Sequence, residues 1–169
     1  MRTLPRELAD RMRGRVVLVG IGNPLRGDDA AGCLLARALA RTPGLTVVHS
    51  EDVPERDVLP IADAHPDVVV LADALDMGLA PGSVAVVEPD ALARYAPTTH
   101  RVPLALLADI LRRACGAEVV VLGIQPRQVE PGAPVSREVH LTVRALAGWM
   151  RRQARRRAAG APVEAASPC

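Results

Sequence analysis

The sequence predicts an α/β fold: a three-layer sandwich whose central, mostly parallel twisted sheet of about five strands is flanked by helices. Two observations lead to this prediction. Short Val-rich runs alternate with longer Ala-, Leu- and Arg-rich segments of helical period. Several of the Val-rich runs are apolar at every position, which is typical of strands that are covered on both faces. The length of 169 residues suits one domain.

Five strands and five helices are predicted in order. The strands cover residues 15–21, 46–50, 68–72, 83–87 and 119–124. The helices cover 29–41, 54–64, 103–115 and 136 to about 157, and a spacing of four between apolar residues adds a short helix over 4–12. Pro43 and Gly44 end the helix over 29–41, and Ser136 is expected to cap the amide of Val139. The single domain, 1–169, then has a short N-terminal extension (1–14) and a loose basic tail (about 152–169).

Composition excludes several classes of function. The 21 basic residues are all arginine, so a lysine nucleophile, a Schiff base and a P-loop lysine are excluded. A net charge of +2 and 1% aromatic residues give little to attract or stack nucleic acid. The late arginines are interpreted as a solvated helix end: Arg151, Arg152, Arg155, Arg156 and Arg157.

Cysteine usage and hydropathy give an expected location. The three cysteines form no C-x-x-C pair, so neither a disulfide framework nor a zinc knuckle is indicated, and a reducing compartment fits best. No apolar run reaches the roughly 18 residues of a membrane span. We therefore expect a cytoplasmic protein with no membrane or nucleic-acid partner.

Polar residues stand at the ends of three predicted elements, after two strands and before one helix. The first strand leads into GIGNPLRGDD, which ends in Asp28 and Asp29; Leu25 stands where a dinucleotide-binding loop needs glycine. Asp28 is assigned mainly to helix capping. The third predicted strand ends before Asp73, for which a loop-capping role is an equal alternative. His100 precedes the helix that begins at residue 103, and a lone histidine is usually only a polar surface residue.

These residues form a candidate metal set if the fold brings them together. Ligands bind outside the carboxyl ends of the strands of an open α/β sheet. Two aspartates and one histidine meeting there give a mixed oxygen and nitrogen set, which suits a borderline divalent metal such as nickel, zinc, iron or manganese. The sequence predicts this site at Asp29, Asp73 and His100, provided that the three loops converge.

Four blocks in order resemble a known family. They are GIGNPLRGDDAAG over 20–32, LADALDMG over 71–78, TTHRVPL over 98–104 and LGIQP over 122–126. Together they resemble the hydrogenase maturation endopeptidases, which trim the C-terminus of nickel-iron hydrogenase large subunits. The resemblance spans about residues 16–149 and is closest to the hydrogenase 3, or formate hydrogenlyase, type.

The resemblance implies an aspartate-containing, nickel-dependent endopeptidase. Asp29, Asp73 and His100 match the family's metal-contacting positions and are the expected catalytic and metal residues. Nickel is supplied by the substrate, the hydrogenase large-subunit precursor, and no organic cofactor is expected. The protein itself is expected to be a monomer. The family often has glutamate at the first position, so the Asp29 carboxylate is one methylene shorter than in those relatives.

The residues leave the mechanism open. The metal either polarises the peptide carbonyl, activates water or serves only for recognition, and Asp29 or Asp73 is an alternative general base. Two other classes of function remain: a non-catalytic module that recognises a metallated precursor, and a nucleotide-dependent enzyme that uses the loop after Gly20. Alanine at Asp29, Asp73 or His100 is expected to abolish processing while leaving the fold largely intact, because crevice residues are exposed.

Five further residues have structural roles in this interpretation. Asn23 organises its turn by side-chain hydrogen bonds, while Gly22 and Gly27 give the loop backbone freedom. Cys33 is expected to be a small core residue. Gln125 faces the crevice or, in the favoured interpretation, satisfies backbone groups near Pro126.

Overall fold

The computed structural model describes residues 4–50, 54–95 and 104–160, which form three layers. The strands are β1 (Val16–Ile21), β2 (Thr46–Ser50), β3 (Val68–Ala74), β4 (Val84–Val87) and β5 (Glu118–Ile124). The α-helices are α1 (Leu4–Arg11), α2 (Ala31–Leu39), α3 (Val58–Asp63), α4 (Leu104–Cys115) and α5 (Arg137–Ala158). Short 3-10 turns cover Gly27–Ala30, Pro54–Asp57 and Pro89–Arg94. The predicted three-layer α/β fold is confirmed.

The sheet has the strand order β2-β1-β3-β5-β4. β2, β1, β3 and β5 are parallel, and β4 pairs antiparallel with β5 at one side. From β1 the chain passes through α2 to β2 on one side, whereas β3 leads to β4 and β5 on the other. The order therefore reverses between β1 and β3, where open sheets of this kind bind ligands at their carboxyl ends.

Each face of the sheet is covered by its own set of helices. Alternate residues such as Leu18 and Val70 pack with α2 and α5 in one cluster, and the residues between them, such as Val19 and Leu71, pack with α3 and α4 in another. This alternation follows from the period of two in a strand. Both rows are apolar because both faces are covered, which explains the continuous valine runs.

Both ends of the described chain form helices, as predicted. The N-terminal segment is part of the fold. Leu8 of α1 and Met12, which follows α1, are each 1% exposed and belong to the cluster formed with α2 and α5. The last helix, predicted from 136 to about 157, is confirmed by α5, which ends at Ala158; residues 161–169 of the predicted basic tail lie outside the described part. No helix among the described residues has the length and apolar character needed to cross a membrane.

The arginines at the end of α5 are not all solvated. Arg151, Arg152, Arg155 and Arg156 are exposed, as expected. Arg157 is half-buried and donates from Nη1 to the carbonyl oxygen of Met12 at 2.6 Å. Burial lowers the pKa of its guanidinium from the ordinary value. This hydrogen bond ties the end of α5 to the segment that follows α1.

α2 approaches β1 and β3 so closely that no side chain fits between them. A Cβ atom on Gly32, in the first turn of α2, would lie 2.1 Å from the carbonyl oxygen of Ala72 and 2.2 Å from that of Ile21. A Cβ atom on Gly20 of β1 would lie 2.3 Å from the carbonyl oxygen of Gly32. Two glycines in contact therefore set the distance between helix and sheet.

Replacing Gly32 with alanine should lower the free energy of unfolding by about 2–3 kcal/mol, because the backbone of α2 must move away from two carbonyl groups. Gly148→Ala in α5 is the matched control: its nearest neighbour is a flexible arginine nitrogen at 3.5 Å, and the better helix propensity should add up to about 1 kcal/mol. Urea unfolding of both variants measures the difference. Equal stabilities would contradict the close-packing explanation.

Candidate functional site

The carboxyl ends of β1 and β3 lie side by side, with Gly20 paired to Ala72. Asp73 is the next residue of β3, and Asp29 lies in the 3-10 turn that follows the β1 loop. The structure thus brings two of the three predicted site residues to the same edge of the sheet, at the point where the strand order reverses. This is the position that open α/β folds use for ligands.

Asp29 is held by the loop that leaves β1. Its Oδ2 accepts a hydrogen bond from the backbone amide of Asn23 at 3.1 Å. Gly22 has a φ of 151°, and a Cβ atom there would lie 2.0 Å from the carbonyl oxygen of Asp29, so the loop folds back directly onto the 3-10 turn. The Asn23 side chain accepts from the amide of Leu25 at 2.9 Å, which confirms its predicted role in the turn.

Cys33 lies under this loop. Its thiol donates to the carbonyl oxygen of Gly22 at 3.2 Å, and the residue is buried. The prediction of a small core residue is confirmed. The thiol also adds a contact that fixes the end of β1 to the first turn of α2.

Asp73 belongs to β3 instead of following it. It pairs with Gly123 of β5, and its Oδ1 accepts from the backbone amide of Ala74 at 2.8 Å. By the alternation of the strand it continues the row of Val69 and Leu71 on the α3 and α4 side. A Cβ atom on Gly123 would lie 2.9 Å from the sulfur of Met77, so the loop after β3 packs closely against the strand residue that pairs with Asp73.

Asp28 does not cap its own helix, so that prediction is wrong. Its Oδ2 accepts from the amides of Arg127 at 2.8 Å and Gln128 at 3.3 Å and from the hydroxyl of Ser136 at 2.8 Å, while its Oδ1 accepts from the Ser136 amide at 2.6 Å. Ser136 in turn caps α5 by accepting from Val139, as predicted. The buried carboxylate of Asp28 therefore joins the β1 loop to the start of α5.

Gln125 braces the loop that follows β3. Its Oε1 accepts from the amides of Met77 at 2.7 Å and Leu79 at 3.2 Å, and its Nε2 donates to the carbonyl oxygen of Pro126 and to Oδ1 of Asp76. The favoured interpretation, satisfaction of backbone groups, is confirmed. The hydrogen bond from Gln125 and a second one from the amide of Gly78 lower the pKa of the Asp76 carboxyl. The main partner of Gln125 is the loop after β3, 46–49 positions away along the chain.

The third predicted ligand, His100, lies outside the described residues. α4 begins at Leu104, four positions later, and ends two residues before β5 starts at the amino edge of the sheet. The helix therefore begins toward the carboxyl edge, where Asp29 and Asp73 lie. Within the described ranges, no three His, Cys, Asp or Glu side chains form a group that would hold a metal ion.

The two described acids are buried, which corrects the expectation of exposed crevice residues. Asp29 is 0% exposed and Asp73 is 5% exposed. Removing a buried, hydrogen-bonded carboxylate leaves its donor without a partner and costs stability. Asparagine, which keeps the size of the side chain, is therefore a better substitution than alanine for testing the function of each acid.

A cavity of about 440 Å³ lies at the opposite, amino edge of the sheet. Its walls include Arg15, Leu45 and Arg157. Neither Asp29 nor Asp73 lines it. The acids at the carboxyl edge and this cavity are therefore separate features of the molecule.

Comparison with known proteins gives the family. A family profile described as hydrogenase maturation protease matches residues 34–152, a segment that includes Asp73 and His100. The hydrogenase 3 maturation protease of Escherichia coli is 38% identical over 140 residues, which cover 79% of this chain and 89% of that protein. The chain belongs to the hydrogenase maturation protease family. It is a hydrolase, an endopeptidase of hydrogenase maturation, which favours the enzyme over the non-catalytic module and the nucleotide-dependent enzyme.

Solved structures of maturation proteases have the same fold. The HycI protease of Thermococcus kodakarensis superimposes with a TM-score of 0.80 at 32% identity, covering 88% of this chain and 99% of that one. The endopeptidase HycI of Escherichia coli gives a TM-score of 0.73 at 36% identity, covering 81% and 92%. The fold described above is thus that of the maturation proteases.

Asp28→Asn should lower the free energy of unfolding by about 2–4 kcal/mol, because an amide nitrogen would replace one of two oxygens that together accept four hydrogen bonds in a buried position. Asp109→Asn is the control, since Asp109 forms only an exposed ion pair with Arg113 in α4. Thermal and urea unfolding measure the stability of both variants. A loss no larger than that of the control would refute the role assigned to Asp28.

Proposed function

We propose that the protein removes the C-terminal extension of a nickel-loaded [NiFe] hydrogenase large-subunit precursor, and that Asp29, Asp73 and His100 contact the nickel carried by that precursor. Membership of the maturation protease family supports the class of reaction and the class of partner. The observation that carries the assignment of residues is the placement of two buried aspartates at the adjacent ends of β1 and β3.

The chemistry of the two acids supports a metal that arrives with the substrate. Carboxylate oxygens with an imidazole nitrogen suit a borderline divalent ion such as nickel. Three protein ligands leave coordination positions for groups from the precursor or for water. Only a precursor that already holds nickel would then complete the set, so cleavage would depend on correct metal loading.

Each of the two acids is held by a backbone amide, and we propose a different task for each. Asp29 is fixed by the Asn23 amide within a braced loop, which suits a ligand of set position. Asp73 accepts from the adjacent amide of Ala74 at the end of its strand. We assign Asp73, together with the metal, to the activation of water, and Asp29 to recognition of the metal. We further propose that the protein acts as a cytoplasmic monomer.

Asp29→Asn, Asp73→Asn and His100→Gln should each reduce cleavage of the nickel-loaded precursor by at least about 100-fold, because each change removes one proposed ligand or base. Intact mass of the large subunit measures cleavage. His140→Gln, at an exposed position of α5, and Asp109→Asn, whose side chain is 51% exposed on α4, are the matched controls and should retain activity.

A binding measurement separates the two tasks. Asp29→Asn should weaken the complex with nickel-loaded precursor in size-exclusion chromatography, whereas Asp73→Asn should bind and not cleave. Wild-type protein should leave a metal-free precursor intact until nickel is inserted. Full processing by the three variants, or equal processing of metal-free and nickel-loaded precursor, would reject the proposed site.

A further inference from the structure

Arg26 lies in the loop between β1 and the 3-10 turn that holds Asp29, and its charge is not neutralised by the described residues. Its side chain is half-buried, and its Nε is buried without a hydrogen-bond acceptor. The guanidinium forms no ion pair within the described ranges. A polar group that has lost water and found no acceptor is unfavourable, so a native protein that keeps one calls for an explanation.

The backbone around Arg26 is held from both sides. The Arg26 amide donates to the carbonyl oxygen of Asn23 at 3.1 Å, and its own carbonyl accepts from the Asp29 amide at 3.1 Å. The Gly132 amide donates to the carbonyl oxygen of Leu25 at 2.8 Å. The side chain therefore extends from a fixed loop, so little conformational entropy of the backbone is lost when a partner binds it.

Nearby charged groups already have other partners. Asp28 accepts its four hydrogen bonds from Arg127, Gln128 and Ser136, as described above. Arg127, on the facing loop, forms an ion pair with Glu138 at 2.7 Å. Arg26 is thus a cation in the loop that leads to Asp29, and the described residues leave it available for a ligand from outside.

We propose that Arg26 is a specificity-determining residue that binds the carboxylate of an acidic side chain in the precursor, close to the bond that is cleaved. This inference rests on the proposed function, because it takes the precursor as the partner. A guanidinium binds a carboxylate through two parallel hydrogen bonds, which a neutral carbonyl does not match. The hydrogen bond from the Asp29 amide to the Arg26 carbonyl oxygen ties the backbone of Arg26 to that of the proposed nickel contact. Leu25, 76% exposed, adds an apolar contact beside it.

Charge reversal at Arg26 tests this inference. Arg26→Glu should raise both KM for the nickel-loaded precursor and the Kd of the complex by about 10- to 100-fold, the loss expected for a charged hydrogen bond, with kcat within about twofold. Arg26→Lys should give values of KM and Kd between those of the wild type and those of Arg26→Glu. Arg144→Glu is the matched control: it makes the same change of charge at an exposed position of α5, eight residues or about 12 Å along the helix from Ser136.

The precursor supplies the second half of the test. Each acidic residue within ten positions of the cleaved bond is replaced by arginine in turn, and one of these precursors should restore KM and Kd with the Arg26→Glu protease. Rescue by none of them would overturn the inference. So would a KM and Kd equal to those of Arg144→Glu, or a lowered Tm with unchanged KM, which would mean that Arg26 has a partner within its own chain.

The outcomes also separate this inference from the proposed function. If the wild-type protein binds the precursor through Arg26 but cleaves none, the proposed function fails and the inference stands. If cleavage depends on nickel, Asp29 and Asp73 but not on Arg26, the function stands and the inference fails. If the wild type neither binds nor cleaves the precursor, both are overturned.

Discussion

The backbone contact of Gly32 with the ends of β1 and β3 determines where the site lies. Because the first turn of α2 rests on the carbonyl groups of Ile21 and Ala72, the 3-10 turn before it is held against the end of β1. Gly22 then passes within contact distance of the Asp29 carbonyl group. Neither approach leaves room for a Cβ atom. The position of the first acid is thus set by main-chain packing, before any side-chain interaction is considered.

The adjacent aspartates of the turn have different tasks because they face different parts of the protein. Asp28 binds the segment that leads into α5, while Asp29 binds the amide of Asn23 at the end of β1. Both are buried, so burial alone does not distinguish a structural acid from a functional one. The hydrogen-bond partners of Asp28 show its structural task, because both of its oxygens accept from donors of the same chain. The position of Asp29 indicates a functional task, because it lies beside the point where the strand order reverses.

Much of the fold is predictable from the sequence because its signals are local. The valine runs predict all five strands, and Pro43 with Gly44 and Ser136 mark helix ends near the observed positions. Asp73 was placed after its strand because an acid is unfavourable in a buried strand; pairing with Gly123, 50 residues away, extends β3. The partners of Asp28 and Gln125 were missed for the same reason, since contacts over 99–108 and 46–49 positions have no local pattern.

The link between Asp28 and Ser136 also bears on when the enzyme becomes competent during synthesis. The ribosome makes the β1 loop early, but the four donors to Asp28 belong to residues 127–136, near the far end of the chain. A nascent chain that stops before this segment lacks all four donors, so the loop that carries Asp29 is not yet linked to the start of α5. Assembly of the site therefore has to wait until almost the whole polypeptide has emerged.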